Sequence, residues 1–281
     1  MDAGGFPLRK LGSTFNGVVR YTIHTEQGAL ELGSYIGRGF GVRATGVLSC
    51  VACGRTVDHL IAQGLCQPCA SNAPQASLCI VRPELCRGHL GLGRDPAWEL
   101  EHHVQEHVVY LSHTNGLKVG VTRSTQLPTR WIDQGATAAL IIGRTPYRQL
   151  AGLMEVDLKR AFADRTNWRA MLRVIDPDPE ALMDARTRAM SMVRHDLRDY
   201  LLNDEEVISI HYPVLAWPPR LRSVHLARTP AIGGRLMGIK GQYLIWESGH
   251  VLNVRNHAGY HVLLTDGRGS TAAPDLFTPP A

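Results

Sequence analysis

Six cysteines, all between Cys50 and Cys86, carry the clearest chemistry in this 281-residue sequence. Cys50-Val-Ala-Cys53 and Cys66-Gln-Pro-Cys69 are two C-x-x-C pairs with twelve residues between the inner cysteines. Each pair is a tight turn that aims two thiolates at one point, and two such turns supply the tetrahedral set of a structural zinc ribbon. A redox C-x-x-C is expected singly and beside a βαβ unit, so the paired arrangement favours metal. Four thiolates close the coordination shell, which makes the expected role structural. Downstream, Cys79, Cys86, His89, His102, His103 and His107 form a looser group. Two thiolates with two imidazoles, expected as His89 and His103, could hold a second zinc. The alternative is a pair of buried free cysteines beside a histidine-rich loop.

A second concentration of chemistry follows an apparent β-hairpin. Val108-Val109-Tyr110-Leu111 and Leu117-Lys118-Val119-Gly120-Val121 flank Asn115-Gly116, a strong local hairpin signal. Arg123, Arg130, Trp131 and Asp133 then crowd around Pro128 before Gln134-Gly135. A rigid hairpin leading into a dense polar and aromatic segment is the expected support of a site; a solvated basic edge is the plainer alternative.

The elements that must position these groups are of mixed type, and the expected class is α+β. Residues 1–49 alternate as β-strands, 50–106 form the zinc-binding region, and 107–203 form a hairpin-plus-helices domain. Residues 204–266 form a β-meander or small barrel, and the tail 267–281 reads as disordered. Helices are expected over Pro146–Phe162, with Leu150, Leu153, Met154 and Leu158 on one face, and over Glu180–Leu202 behind Asp176-Pro177-Asp178-Pro179. The β-rich ends are expected to join as one module, with a barrel as one form of it.

Composition bounds the function classes. The formal charge is +5, and only four of the 30 basic residues are lysine, so arginine supplies nearly all of the positive charge. Guanidinium forks suit phosphate recognition, so the charge permits DNA or RNA as partner without establishing one, and a GC-rich genome would favour arginine equally. No run of eighteen apolar residues predicts a membrane span, and MDAGGFPLRKLG lacks the form of a secretory signal. A cytoplasmic protein is expected.

The two C-x-x-C pairs followed by LKVGVTR, PTRWIDQGA, DRTNWR and GIKGQYL resemble a prokaryotic zinc-ribbon family of uncharacterised function, over roughly residues 15–265. Its central domain is similar to the GIY-YIG nuclease superfamily. That resemblance implies a metal-dependent nuclease fold in which Tyr110 is the first tyrosine and Lys118-Val119-Gly120 the Y-I-G strand. Arg130 is then the helix arginine, and Glu155 the ligand of one Mg2+ or Mn2+ ion. Asn167 matches the late asparagine loosely. In such a site the metal would act as Lewis acid, Arg130 would hold the phosphate with Arg123 nearby, and Tyr110 would orient or deprotonate water.

Two departures bear on activity. Lys118 stands where the second tyrosine belongs, replacing a phenol by a cation that is either a phosphate clamp or a mark of lost cleavage. In the second cysteine group the resemblance implies a cysteine at the Gly93 position, which this chain lacks. The expected function is a zinc-stabilised, metal-dependent phosphodiester hydrolase of nucleic acid, with a non-cleaving nucleic-acid-binding module and an enzyme using the same pocket on a small or RNA-linked substrate as the alternatives.

Overall fold

The computed structural model describes residues 5–163, 167–173, 175–203 and 205–267. They divide into two compact units, one formed from Met1–Ser71 with Tyr212–Ala281 and one from Asn72–His211. The fold is mixed α+β, and no helix among the described residues is long and apolar enough to cross a membrane. The expected disordered tail lies, apart from Gly267, outside the described residues.

Strands in chain order are β1 (Phe6–Pro7), β2 (Gly12–Asn16), β3 (Val18–Thr25), β4 (Gly28–Glu31) and β5 (Gly39–Leu48). The second unit contributes β6 (His107–His113), β7 (Leu117–Arg123), β8 (Ala138–Thr145) and β9 (Ile208–Ser209). The chain then forms β10 (Arg222–Val224), β11 (Ala231–Lys240), β12 (Tyr243–Trp246), β13 (His250–Asn253) and β14 (Tyr260–Thr265). Helices are α1 (Gln67–Asn72), α2 (Pro96–His102), α3 (Thr129–Asp133), α4 (Arg148–Leu158), α5 (Trp168–Met171) and α6 (Pro179–Met192).

In the first unit the two β-rich ends of the sequence share one sheet, in the order β1-β14-β5-β11-β12-β13-β10. β5 lies between β14 and β11 and pairs antiparallel with both. The barrel expected as one form of this module is not what the described strands build. The sheet stays open, with the two-residue β1 and three-residue β10 at its edges, and such short edges are a common way to leave a sheet unclosed without inviting pairing. A separate sheet, β2-β3-β4, accompanies it. Trp246 donates its indole N–H to the Phe40 carbonyl at 2.7 Å. Gln242 binds both the N–H and the carbonyl of Leu11 at 2.7 and 3.3 Å. Lys240 is buried with its ammonium over the rings of Tyr212 and Trp217, at 5.3 and 5.4 Å, a cation–π placement that offsets part of the cost of burial. That burial lowers Lys240 to about 8.

The second unit is built on the hairpin. β6 and β7 pair in register from His107 opposite Arg123 to His113 opposite Leu117, and β8 pairs with the other side of β6. Alternation along the strands sends Val109, Leu111, Val119 and Val121 to one face. There they pack with Ala151, Met154 and Leu158 of α4 and Leu182, Ala185 and Ala189 of α6. Tyr110, Ser112, Lys118 and Gly120 alternate with them and share the opposite face.

Helix α6 ends at Met192, ten residues before the expected limit, with Val193 extended (φ −70°, ψ 132°). Asp157 of α4 accounts for the stop. Its carboxylate accepts the backbone N–H of Arg194 at 3.1 Å and two guanidinium N–H groups at 2.8 and 2.9 Å. A bidentate pair with a backbone bond added is worth more than another helical turn at this point. Arg194 holds Asp157 below the ordinary carboxylate value of 3.8. Replacing Asp157 by alanine is expected to cost about 1 kcal/mol at neutral pH, because the buried carboxylate pairs with an Arg194 that is 36% exposed and therefore partly screened by solvent. A depressed carboxylate contributes its full stability above the unfolded value and loses it as pH falls through the folded one. The gap between wild type and Asp157→Ala in denaturant melts should therefore be complete above about pH 5 and close as the pH drops below about 4.

Candidate functional site

Three groups of side chains carry chemistry, two of them sulfur-rich. Cys50, Cys53, Cys66 and Cys69 bring their sulfurs within 4.8 Å of one another, as a metal site requires. The two knuckles are tied together locally. Gly54 takes φ +72° and donates to the Cys50 carbonyl at 2.8 Å, a turn that suits glycine. Val51 N–H reaches Gly64 O at 2.9 Å, and Cys66 N–H points at Cys50 Sγ at 3.3 Å. Cys53 and Cys66 sulfurs are 3.8 Å apart, the edge expected of a tetrahedron with metal–sulfur bonds of about 2.3 Å. The surrounding protein groups act on the thiols in opposite directions. The Arg55 guanidinium, 3.5 Å from Cys53 Sγ, draws Cys53 down to about 6, whereas the neighbouring Cys66 pushes Cys69 up to about 12. A divalent cation would remove that conflict by stabilising every thiolate at once.

In the second group, Cys79, Cys86, Glu99 and His103 bring their ligand atoms within 4.8 Å. Asp95 caps α2 by accepting Trp98 N–H at 3.1 Å, and Pro96 opens the helix. Glu99 and His103 then fall four residues apart on one face, and their side chains touch through Glu99 Oε2 and His103 Nδ1. His103 Nδ1 also lies 3.5 Å from Cys86 Sγ and 3.9 Å from Cys79 Sγ. The Cys79 thiol holds Cys86 at about 4 against the cost of burial, and the same contact raises Cys79. Arg148, at the start of α4, fixes the loop by donating to the carbonyls of Cys79 and Ile80, both at 3.0 Å.

His89, expected beside His103, stands outside this set. Its ring stacks on Tyr147 at 4.3 Å, and Glu99 occupies the fourth place. His102 stacks on Trp98, and His107 is buried, bonded to Gln105 O at 2.8 Å and lowered by that burial to about 3. Residue type alone singles out neither Glu99 nor Arg148. The legible signal was E-x-x-x-H behind an Asp-Pro helix start.

The third group lies on the hairpin. Tyr110 has 0% of its surface exposed. Its hydroxyl meets the Gln134 amide at 3.0 Å, and the amide, turned to satisfy both neighbours, takes the Arg130 Nε–H and Nη2–H at 3.3 Å each. Gly120, directly across from Tyr110, leaves room for the phenol: a Cβ there would stand 2.5 Å from its hydroxyl. Burial raises Tyr110, against the lowering effect of Arg130. Lys118 is buried on the same sheet face. Glu155 acts on Tyr110 electrostatically but rides on α4, whose apolar side packs on the other face, and it is ion-paired with Lys159 at 3.1 Å. Arg123 pairs with His107 at the strand end, on the face opposite Tyr110. Asn167 caps α5 through Arg169 and Ala170 N–H, and Asp164, Arg165 and Thr166 lie outside the described residues. The sequence-derived set is thus arranged: Tyr110 and Arg130 join through Gln134, Lys118 shares their face, Glu155 on α4 acts on Tyr110 electrostatically, and Arg123 lies at the strand end on the other face.

A family model described as "Protein of unknown function (DUF2797)" matches residues 37–262. No curated protein and no solved structure matches the chain.

Proposed function

The chain belongs to the DUF2797 family, for which no activity is prescribed, and from its own residues we propose that it is a zinc-stabilised protein that binds nucleic acid through phosphate without cleaving it. The zinc would sit among Cys50, Cys53, Cys66 and Cys69 and hold their segment folded. The observation that carries the non-cleaving reading is the burial of Tyr110: a phenol with no exposed surface, raised by that burial, is poorly placed to orient or deprotonate water. Charge supports the same reading. Lys118, Arg130, Arg148 and Lys159 belong to the surroundings of Tyr110 and Glu155, and such a gathering of cations suits a bound phosphate better than a bound Mg2+ or Mn2+. Arg130, half-buried with its guanidinium positioned by Gln134, would grip a phosphate oxygen pair.

The hydrolase reading is the second, and it is favoured by the joining of Tyr110 and Arg130 through one amide, with Glu155 in electrostatic reach. It requires the site to open and Glu155 to leave Lys159. The two readings separate in a binding titration on labelled RNA and DNA. Arg130→Ala should weaken binding about tenfold and reduce the salt slope by about one, while Glu155→Ala should leave affinity within about twofold. Unchanged affinity and slope in Arg130→Ala would remove the phosphate role.

A further inference from the structure

The second sulfur-rich group has a geometry that hydrogen bonding alone does not satisfy. Three polar atoms, Glu99 Oε2 and the sulfurs of Cys86 and Cys79, converge on the single ring nitrogen His103 Nδ1. One ring nitrogen makes one good hydrogen bond, as donor to the carboxylate or as acceptor from a thiol, and a Cys79 S–H to Cys86 answers only one further pair, so the polar atoms crowd together in a buried place: Glu99 is 2% and His103 3% exposed. A cation at the common centre converts this conflict into coordination. Ligands of a tetrahedral zinc stand about 3.3–3.8 Å apart; His103 Nδ1 to Cys86 Sγ, at 3.5 Å, falls within that range, Cys79 Sγ at 3.9 Å stands just beyond it, and Glu99 Oε2, in direct contact with Nδ1, would draw back to share the ion.

The donors come from separate short elements that have been fixed in place. Cys79 is held by Arg148, Cys86 closes the turn Pro83–Leu85, and Glu99 with His103 projects from α2. Gly88 and Gly93 supply the space. A Cβ on Gly88 would lie 3.1 Å from Glu99 Oε2, and one on Gly93 would overlap the Glu99 carboxylate at 2.6 Å. A side chain at position 93 would therefore displace the Glu99 carboxylate from this place.

The centre is walled on one side by a cavity of about 610 Å3, on whose lining both Cys79 and Glu99 appear, with Arg87 and Arg94 beside them. We propose that Cys79, Cys86, His103 and Glu99 hold a second zinc-class divalent cation in an open centre. The two thiolates and the imidazole are its permanent donors, and Glu99 is the exchangeable one, displaced when a small anion enters from the arginine-flanked cavity. A carboxylate binds zinc less firmly than a thiolate, and three lasting ligands with one exchangeable position is the pattern of reactive rather than structural zinc. This inference does not depend on nucleic-acid binding.

The test uses the full chain loaded with cobalt in place of zinc. Wild type should carry two ions, and Cys86→Ser and His103→Gln should each carry one, with the spectrum of the four-cysteine site retained. Azide should shift the visible bands of wild type and leave those of Cys86→Ser and His103→Gln unchanged. Glu99→Gln should keep two ions and respond to azide at severalfold lower concentration. One ion per wild-type chain overturns the second centre, and two ions with bands indifferent to azide overturn its openness. The wild-type count and azide response stand even where a variant fails to fold.

Discussion

Cys66→Ser is expected to lose the ion of the four-cysteine site and to unfold the segment around residues 50–71. Between Cys50 and Ser71 the buried apolar residues among those described are only Cys50, Leu65 and Cys66. So small an apolar content cannot offset the conformational entropy of ordering the segment, whereas a structural zinc contributes on the order of 10 kcal/mol or more. Loss of one thiolate removes most of that. Cys66 also anchors the geometry, because its N–H supports Cys50 Sγ and its carbonyl accepts Ala70 N–H. Thermal melting should fall by about 10 °C or more, limited proteolysis should cut near Leu65, and metal analysis should read one ion fewer. Prolonged chelation of wild type should reproduce the proteolysis pattern. A Cys66→Ser protein with wild-type metal content and melting would remove the zinc assignment.

Gly152→Ala should be the second large effect, with a sign opposite to the usual one. In an ordinary exposed helix this change stabilises by about 1 kcal/mol. On α4, the added Cβ would stand 2.8 Å from Glu84 Cα and closer still to Glu84 N and the Pro83 carbonyl carbon. These are backbone atoms of a turn pressed on the helix, so no rotamer change relieves the overlap. Overpacking of this kind costs about 1–3 kcal/mol beyond the lost gain, and a net destabilisation of about 2 kcal/mol is expected in urea melts. The displaced turn leads directly into Cys86, so the affinity of the second centre should drop as well. A more stable Gly152→Ala protein would show that the turn moves freely.

The parts of the fold that were legible are those written locally. The two C-x-x-C pairs, the Asn115-Gly116 hairpin and the apolar stripe of α4 are each encoded within some twenty residues, and each is found where the spacing put it. What was not legible depends on partners distant in sequence. Nothing in residues 39–48 indicates that β5 will lie between β14 and β11, because strand register is settled by the packing of whole faces. Helix α6 kept its apolar period past Met192, and it was Asp157, thirty-seven residues before Arg194, that ended it. The ligand set of the second group failed to read for a related reason. Cysteine and histidine advertise metal by type, whereas Glu99 is one of many acidic residues until α2 turns it toward His103. Around the hairpin, the resemblance singled out Tyr110 and Glu155 but could not tell that Tyr110 would face away from the sheet side on which α4 packs.

The most direct test of the account is a gel experiment on the purified wild-type protein, with labelled single- and double-stranded DNA and RNA in the presence of magnesium or manganese. The account predicts retarded complexes that weaken as salt rises, with every strand recovered intact. Cleavage that vanishes in Glu155→Ala would contradict it and establish the hydrolase. Absence of any retarded complex at low salt would contradict nucleic-acid binding altogether.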